Sequence, residues 1–444
     1  MTTPIYDFVK KYAEEKGARL HMPGHKGRGA LGVEKLDITE ISGADVLYSP
    51  DGIIAESENN ASRLFSTAHS FYSAQGSTLA ISAMLTIALK YFGKKKVLAA
   101  RNVHRSFINA AALLDLDVEF MYPSDACHLC ACRLTPEDVE HALAKSEKEF
   151  FAVYVTSPDY LGNIADVKGI SKVCKRYGIP LLVDNAHGAY LKFLPEDIHP
   201  ITLGAAMCAD SAHKTLSVLT GGAYLHVSKD YPEFLEGARD AMAIFASTSP
   251  SYLILSSLDL CNKRLAEDYP SELAETVEKI NDTKNSLRSL GLCVEDGEPL
   301  KIVINARDSG YVGTAMAEHL RTFGIECEFA DEDYLVLMLS PENDKRDISL
   351  LLDAMKNAPR ALSVRKSPPT VTYKRERIMS IRCAALSPSV AVPVRDSVGR
   401  VCAETAVACP PAVPVVVSGE RITKDDVAAF EYYGIEKVKV ITER

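Results

Sequence analysis

Apolar residues in this chain come mostly in short unbroken runs, with polar residues and Gly, Pro, Asp and Asn gathered between them. The clearest run, Ile179-Pro180-Leu181-Leu182-Val183, closes on Asp184-Asn185-Ala186-His187-Gly188. A short apolar run bounded by turn residues reads as a strand buried on both faces, the habit of parallel sheets. Similar runs predict strands near 97–100, 118–122, 150–156, 180–184, 205–209 and 222–227, separated by helical stretches such as 77–92, 135–147 and 167–177. That βαβα rhythm predicts an α/β fold with a mainly parallel sheet covered on both faces. Further on, a helix at 271–290, strands at 301–305 and 335–339 and a helix at 311–323 predict a smaller α/β domain. The expected division is an N-terminal arm over 1–50, a large domain over 51–265 and a small C-terminal domain over 266–444. The basic segment from Arg360 to Arg377, with Pro368 and Pro369, reads as a connector.

Open α/β sheets place their ligands at the carboxyl ends of strands, which puts Asp184 at a ligand edge. Thirty residues further on stand Ser211-Ala212-His213-Lys214-Thr215, followed by the turn Gly221-Gly222. A pyridoxal-phosphate enzyme needs a lysine to form the imine with the cofactor aldehyde. It also needs a carboxylate to keep the pyridine nitrogen protonated, so that the ring can accept electrons. Lys214 and Asp184 answer those two requirements, although a Ser-x-His-Lys by itself is more often a solvated surface pair. Gly76-Ser77-Thr78 opens an apolar helix whose first-turn amides and hydroxyls can cradle a phosphate. Taken alone, it is equally an ordinary capped helix. His104 follows the strand-like Lys96-Val97-Leu98-Ala99-Ala100, where an imidazole can stack on a planar ring or simply cap a loop.

With those residues in place, the chain resembles the ornithine/lysine/arginine decarboxylase family of fold-type I pyridoxal-phosphate enzymes, in its short form without an N-terminal wing domain. The likeness runs nearly end to end. It is carried by His21-Met22-Pro23-Gly24-His25-Lys26-Gly27, Asp37-Ile38-Thr39-Glu40, Gly76-Ser77-Thr78, Arg101-Asn102-Val103-His104-Arg105-Ser106 and Thr156-Ser157-Pro158-Asp159-Tyr160-Leu161-Gly162. It continues through Asp184-Asn185-Ala186-His187-Gly188, Ser211-Ala212-His213-Lys214-Thr215-Leu216, Ser247-Thr248-Ser249-Pro250-Ser251-Tyr252, Val398-Gly399-Arg400-Val401-Cys402-Ala403-Glu404 and Pro410-Pro411-Ala412-Val413-Pro414.

The resemblance implies an aspartate-aminotransferase-like fold and decarboxylation of lysine, arginine or ornithine to an amine and carbon dioxide. It makes Lys214 the Schiff-base lysine, Asp184 the partner of the pyridine nitrogen and His104 the residue on the ring face. Ser77, Thr78, Ser211 and His213 would hold the phosphate, helped by the amide of Gly76. Either Lys214 or His187 would return the proton to Cα. Thr248 or Ser249 would reach the phosphate of the neighbouring subunit, and Glu404 the distal amine of its substrate, so a homodimer is the smallest active unit implied.

Departures from the family pattern concern the substrate mouth more than the reaction. The family commonly has Asp-Glu-Ala-His where this chain has Asp184-Asn185-Ala186-His187, and Ser-Thr-His-Lys where it has Ser211-Ala212-His213-Lys214. Tyr-Pro-Pro-Gly-Ile-Pro is replaced by Ala408-Cys409-Pro410-Pro411-Ala412-Val413-Pro414. An aminotransferase or other lyase would use the same lysine and aspartate. It would normally add an arginine for the substrate α-carboxylate, and no arginine here is marked for that role. A non-catalytic cofactor binder would have no need of an intact Lys214, Asp184 and His104.

Composition agrees with an enzyme of this kind. The 444 residues are 47% hydrophobic, enough for more than one sizeable core. A net charge of −9, with 50 Lys and Arg scattered along the chain, argues against a nucleic-acid partner. No apolar run reaches the ~20 residues of a membrane span, and the amphipathic first helix does not read as an export signal, so a cytoplasmic protein is expected. The eleven cysteines are then expected to be reduced. Cys127-His128-Leu129-Cys130-Ala131-Cys132 has spacing that suits zinc. It lacks a second Cys-x-x-Cys pair and reads instead as a surface connection with incidental cysteines, so no metal is expected.

Overall fold

The computed structural model describes residues 1–123, 128–131, 133–145, 149–358, 368–369, 373–404 and 412–442. The chain opens with α1 (Pro4–Glu14) and, after a stretch of turns, α2 (Ile53–Phe65). Strands and helices then alternate: β1 (His69–Ser73), α3 (Gly76–Phe92), β2 (Lys96–Ala100), α4 (Arg105–Leu114), β3 (Asp117–Met121), α5 (Pro136–Lys145) and β4 (Ala152–Thr156). The series continues through α6 (Val167–Arg176), β5 (Leu181–Asp184), β6 (Met207–Asp210), α7 (Ala212–Thr215) and β7 (Ala223–Val227). Three helices follow, α8 (Ala238–Ala243), α9 (Tyr252–Ala266) and α10 (Tyr269–Ser289). Beyond them lie β8 (Cys293–Glu295), β9 (Lys301–Asn305), α11 (Gly313–Thr322), β10 (Phe329–Ala330), β11 (Tyr334–Met338) and α12 (Lys345–Lys356). The last elements are α13 (Ile381–Leu386), β12 (Ser389–Pro393), α14 (Lys424–Tyr432) and β13 (Lys437–Ile441).

These elements belong to two compact units, one made of Met1–Lys94 and Cys174–Glu272, the other of Lys95–Val173 and Leu273–Arg444. In the first unit the strand order is β1-β7-β6-β5. β5 and β6 run parallel, with Leu182 opposite Met207 and Asp184 opposite Ala209, while β7 and β1 are antiparallel to their neighbours. Every residue of β5, β6 and β7 is buried, as a strand covered on both faces requires. Part of that cover is α3, in which each residue from Leu79 to Ala88 is buried, the behaviour of a helix that is apolar all round.

β1 has no counterpart among the expected strands, because its sequence His-Ser-Phe-Tyr-Ser carries its polar groups inward. Ser70 Oγ lies 2.7 Å from His226 Nδ1, and the Tyr72 hydroxyl lies 2.7 Å from Ser57 Oγ. Buried hydroxyls that find partners do not follow the apolar alternation by which strands are recognised. α1 is tied to this unit by a carboxylate at its positive end, since the amides of Ile5 and Tyr6 donate to Asp259 Oδ2 at 2.9 and 3.0 Å.

In the second unit β4, β2 and β3 are neighbours in that order, parallel throughout. A four-stranded antiparallel sheet, β10-β11-β9-β8, and the pair β12-β13 complete its strands. The described part of the Cys-His-Leu-Cys segment corrects the expectation of a surface connection. Leu129, Cys130 and Ala131 are buried, with Leu129 among the core residues around Val415, Phe430 and Val440, and Cys130 and Ala131 packed with Leu161, Val303 and Val336. His128 Nε2 lies 2.7 Å from Asp331 Oδ2. Cys127, Cys132, Cys409 and most of the expected connector fall outside the described residues.

The C-terminal part of this unit is held by an ion pair with no exposed side-chain surface on either partner, in which the Arg375 guanidinium lies 2.7 Å from Asp426 Oδ1. Asp426 also caps α14, accepting from the Thr423 amide at 2.8 Å, and receives the Tyr373 hydroxyl at 2.6 Å. Breaking a buried pair by removing one partner strands the other charge, which costs more than the pair itself contributes. Arg375→Ala is therefore expected to destabilise the protein by about 3–5 kcal/mol. A shift of denaturant midpoint worth under about 1 kcal/mol would contradict the arrangement.

Candidate active site

The carboxyl ends of β5 and β6 bring the candidate residues of the first unit together. Alternate side chains of a strand leave on opposite faces, so Asp184 shares a face with its register partner Ala209, and Asn185 and Asp210 leave on the other. Asp184 is buried, 2% exposed, and accepts the Ala186 amide at 3.2 Å. One residue after Asp210 the chain turns at Ser211 into the single helical turn α7, where the Lys214 amide donates to Ser211 O at 3.0 Å. Lys214 Nζ lies 3.0 Å from His187 Nε2, so the lysine and the histidine that closes the β5 edge share a hydrogen bond.

The same turn is fixed on its other side. Ser211 Oγ donates to Ser77 Oγ at 2.7 Å, joining the lysine turn to the first turn of α3. The His213 amide and Nδ1 both point to Gly222 O, at 3.2 and 2.9 Å. Donation from Nδ1 to a carbonyl selects the tautomer with the proton on that nitrogen. Burial pushes the His213 imidazole below its ordinary range, partly offset by that carbonyl. The Gly221-Gly222 turn has to be glycine: Gly221 sits at φ +100°, and a Cβ on it would stand 3.3 Å from the Ala74 carbonyl oxygen.

One expectation changes here. The amide of Gly76, expected to serve a phosphate, donates to Gly221 O at 2.7 Å. Gly76 contributes its φ of +68°, which turns the chain into α3, and the first turn beyond it carries the Ser77 hydroxyl that meets Ser211, a grouping suited to an anion. Thr78 stands in the same first turn.

The remaining candidates lie elsewhere. Thr248 and Ser249 are exposed on the loop between α8 and α9, where the Ser249 amide donates to Ser247 Oγ at 3.2 Å. His104 and Glu404 belong to the second unit. His104 is the N-cap of α4, its Nδ1 accepting the Ser106 amide at 3.1 Å, and its ring is half-buried. Glu404 is half-buried, and burial raises its carboxyl above the ordinary value, opposed by Lys439. Ala408 to Pro411 fall outside the described residues.

Two features escaped the reading of the sequence. Arg101, at the head of the His104 motif, is 3% exposed and donates to Pro414 O at 2.9 Å and Val415 O at 2.8 Å. Its guanidinium is taken up by these backbone carbonyls, with Glu420 Oε2 3.8 Å away. Asn185 Nδ2 donates to Asp210 Oδ1 at 2.7 Å, a pairing foreshadowed only by Asn185 standing where the family has glutamate.

A buried carboxylate, an amine one strand away and hydroxyls grouped at a helix N-terminus suit the ring nitrogen, the aldehyde and the phosphate of pyridoxal phosphate in turn. Fold and site together define a fold-type I pyridoxal-phosphate enzyme. Residues 3–306 match the model of the Orn/Lys/Arg decarboxylase major domain, and residues 380–438 that family's C-terminal domain. The chain belongs to the Orn/Lys/Arg decarboxylase family and is a pyridoxal-phosphate-dependent amino-acid decarboxylase. It is 28% identical to an arginine decarboxylase of Bacillus subtilis over 96% of this chain and 92% of the relative. An arginine decarboxylase of Halalkalibacterium halodurans is 29% identical, with the same coverage of 96% and 92%. Among solved structures, a lysine decarboxylase of Francisella novicida superposes with a TM-score of 0.80 at 17% identity, over 99% of this chain and 81% of that one. The constitutive lysine decarboxylase of E. coli gives 0.79 at 18% identity, over 99% and 81%. At such identities the structures establish the shared fold.

Proposed function

We propose that this protein decarboxylates arginine, releasing carbon dioxide and the corresponding guanidino-amine, a polyamine precursor. The reading rests on the relatives named arginine decarboxylase, which match this chain over 94–96% of its length. Pyridoxal phosphate, when bound, supplies an electron sink for the carbon left behind as the carboxylate departs. Lys214 anchors the cofactor, and Asp184, buried at the β5 edge, holds the proton on its ring nitrogen through a charge-assisted hydrogen bond in low dielectric. Ser77, Thr78, Ser211 and His213 would hold the phosphate, and His104 would serve the face of the ring. His187, 3.0 Å from Lys214 Nζ, keeps a proton within reach of the lysine, and either of the two returns it to Cα.

A decarboxylase gains from leaving the departing carboxylate without a firm cationic partner, since its charge disperses in the transition state. The capture of Arg101 by the carbonyls of Pro414 and Val415 accords with that need. Glu404 faces the distal cation of the substrate. The protein works in the cytoplasm as a homodimer in which Thr248 or Ser249 and Glu404 serve the neighbouring subunit's site. Exposed apolar side chains in the arm support this, with Leu20 at 93%, Leu31 at 84% and Met22 at 66%, as does the exposure of Thr248 and Ser249. No described helix is long and apolar enough to cross a membrane.

Carbon dioxide release from arginine, lysine and ornithine, measured side by side, is expected to give arginine the highest kcat/KM by at least ~10-fold, the discrimination that a site built to pair one cationic head group can supply. A higher value for lysine or ornithine would overturn the assignment. Shared sites predict complementation as well. Mixing inactive Lys214→Ala subunits with inactive Glu404→Ala subunits gives hybrids in which one of the two sites carries neither lesion, so about a quarter of all sites recover on free exchange. No recovery under demonstrated exchange would place Glu404 in its own subunit's site or in none.

A further inference from the structure

Behind the candidate site, on the opposite face of the first unit's sheet, lies a polar cluster that the reaction does not use. Asp210 is fully buried, and so are four side chains around it, Asn185, His199, Cys208 and His226. Asn185 Nδ2 stands 2.7 Å from Oδ1, while His199 Nε2 and His226 Nε2 stand 3.0 and 3.3 Å from Oδ2. His199 Nδ1 accepts the Ile201 amide at 3.4 Å, which puts the ring proton on Nε2, facing the carboxylate. His226 Nδ1 is engaged by Ser70 Oγ at 2.7 Å, and Ser70 Oγ by Thr67 Oγ1 at 2.8 Å, so the network reaches back to the start of β1. These imidazoles hold Asp210 well below the usual carboxylate range despite its burial, and burial lowers the His226 imidazole.

Asn185, His199 and Cys208 donate to this buried carboxylate, with the His226 ring beside it, and a carboxylate so surrounded is fixed in place. His199, Cys208 and Asp210 are also near enough to one another to be considered as metal ligands. The spacing of 3.0 Å between His199 Nε2 and Asp210 Oδ2, with a proton directed between them, is that of a hydrogen bond. What Asp210 grips is Asn185, the residue directly after Asp184. Asn185 Oδ1 has no hydrogen-bond partner among the described residues, so the bond to Asp210 is what orients that side chain. On its other side Asp210 precedes Ser211, three residues before Lys214. One carboxylate therefore sits at the junction of both strand ends that present the front-face groups.

We propose that Asp210 is a positioning residue: gripping Asn185 from the back of the sheet, it sets Asp184 and the Ser211–Lys214 turn in register for the cofactor. The inference rests on the reading of Asp184 and Lys214 given above. Asn185→Ala and Asp210→Asn, prepared as holoenzymes, are each expected to raise the dissociation constant for pyridoxal phosphate about tenfold, the equivalent of one hydrogen bond to a charged group. Each is also expected to move the pH at which the bound cofactor's visible band changes. Because the two act through one bond, the double variant should be no worse than the poorer single one, whereas independent effects would multiply.

A general loss of stability lowers the melting temperature but leaves the band's pH profile where it was. Folded variants with wild-type cofactor affinity and band profile would overturn the proposal, as would multiplying effects in the double variant. Should Asp210→Asn fail to fold, Asn185→Ala, which leaves Asp210 with both imidazoles, decides the matter alone. A wild-type protein that takes up no pyridoxal phosphate would refute the underlying reading instead.

Discussion

A carboxylate buried at the end of a sheet strand must be met by donors or by a cation, since an ionised group without partners in the interior costs several kcal/mol. Two such carboxylates stand at the ends of adjacent strands here, Asp184 on β5 and Asp210 on β6, on opposite faces of the sheet. Asp210 is met from within by Asn185, His199 and His226. Asp184 faces the edge that carries His187 and Lys214, where a protonated pyridine nitrogen is the cation that suits it. The parallel pairing of β5 and β6 makes this possible, because parallel strands deliver their carboxyl ends, and the polar residues that follow them, to one edge. The rest of the first unit supports that edge: α3 buries its whole middle and brings Ser77 to Ser211, and the Gly221-Gly222 turn pins the lysine loop through His213.

Much of this was legible in the order of residues. Strands that are apolar throughout, such as Leu181–Asp184 and Ala223–Val227, stand within a few residues of their expected positions, because burial on both faces leaves a continuous signal. α10 and α11 likewise have the expected extent to within a few residues. β1 was not legible, since its serines and tyrosine spend their polar groups on buried partners. The short β12 escaped for a different reason: it is largely exposed, so it carries no burial pattern.

At the site, residue types identified the chemistry and the fold then supplied the connections. Lys214, Asp184 and the hydroxyls stand out as candidates from residue type and the family likeness, but the use of the Gly76 amide by Gly221 and the capture of Arg101 by Pro414 and Val415 depend on partners that lie 145 and over 300 residues away in sequence. The Cys127–Cys132 segment shows the converse error. Its place between a strand and a helix suggested a surface connection, whereas the aromatic rings of Tyr334 and Tyr433 close around His128 and the apolar residues after it go inward.

The central claim is that Lys214 carries the cofactor, and reduction of the holoprotein with borohydride followed by peptide mapping tests it most directly. The account predicts that the visible band of the bound cofactor disappears and that the pyridoxyl label is recovered on the peptide containing Lys214 and on no other. A label on a different lysine, or a protein that binds pyridoxal phosphate without any reducible bond to its chain, would contradict it.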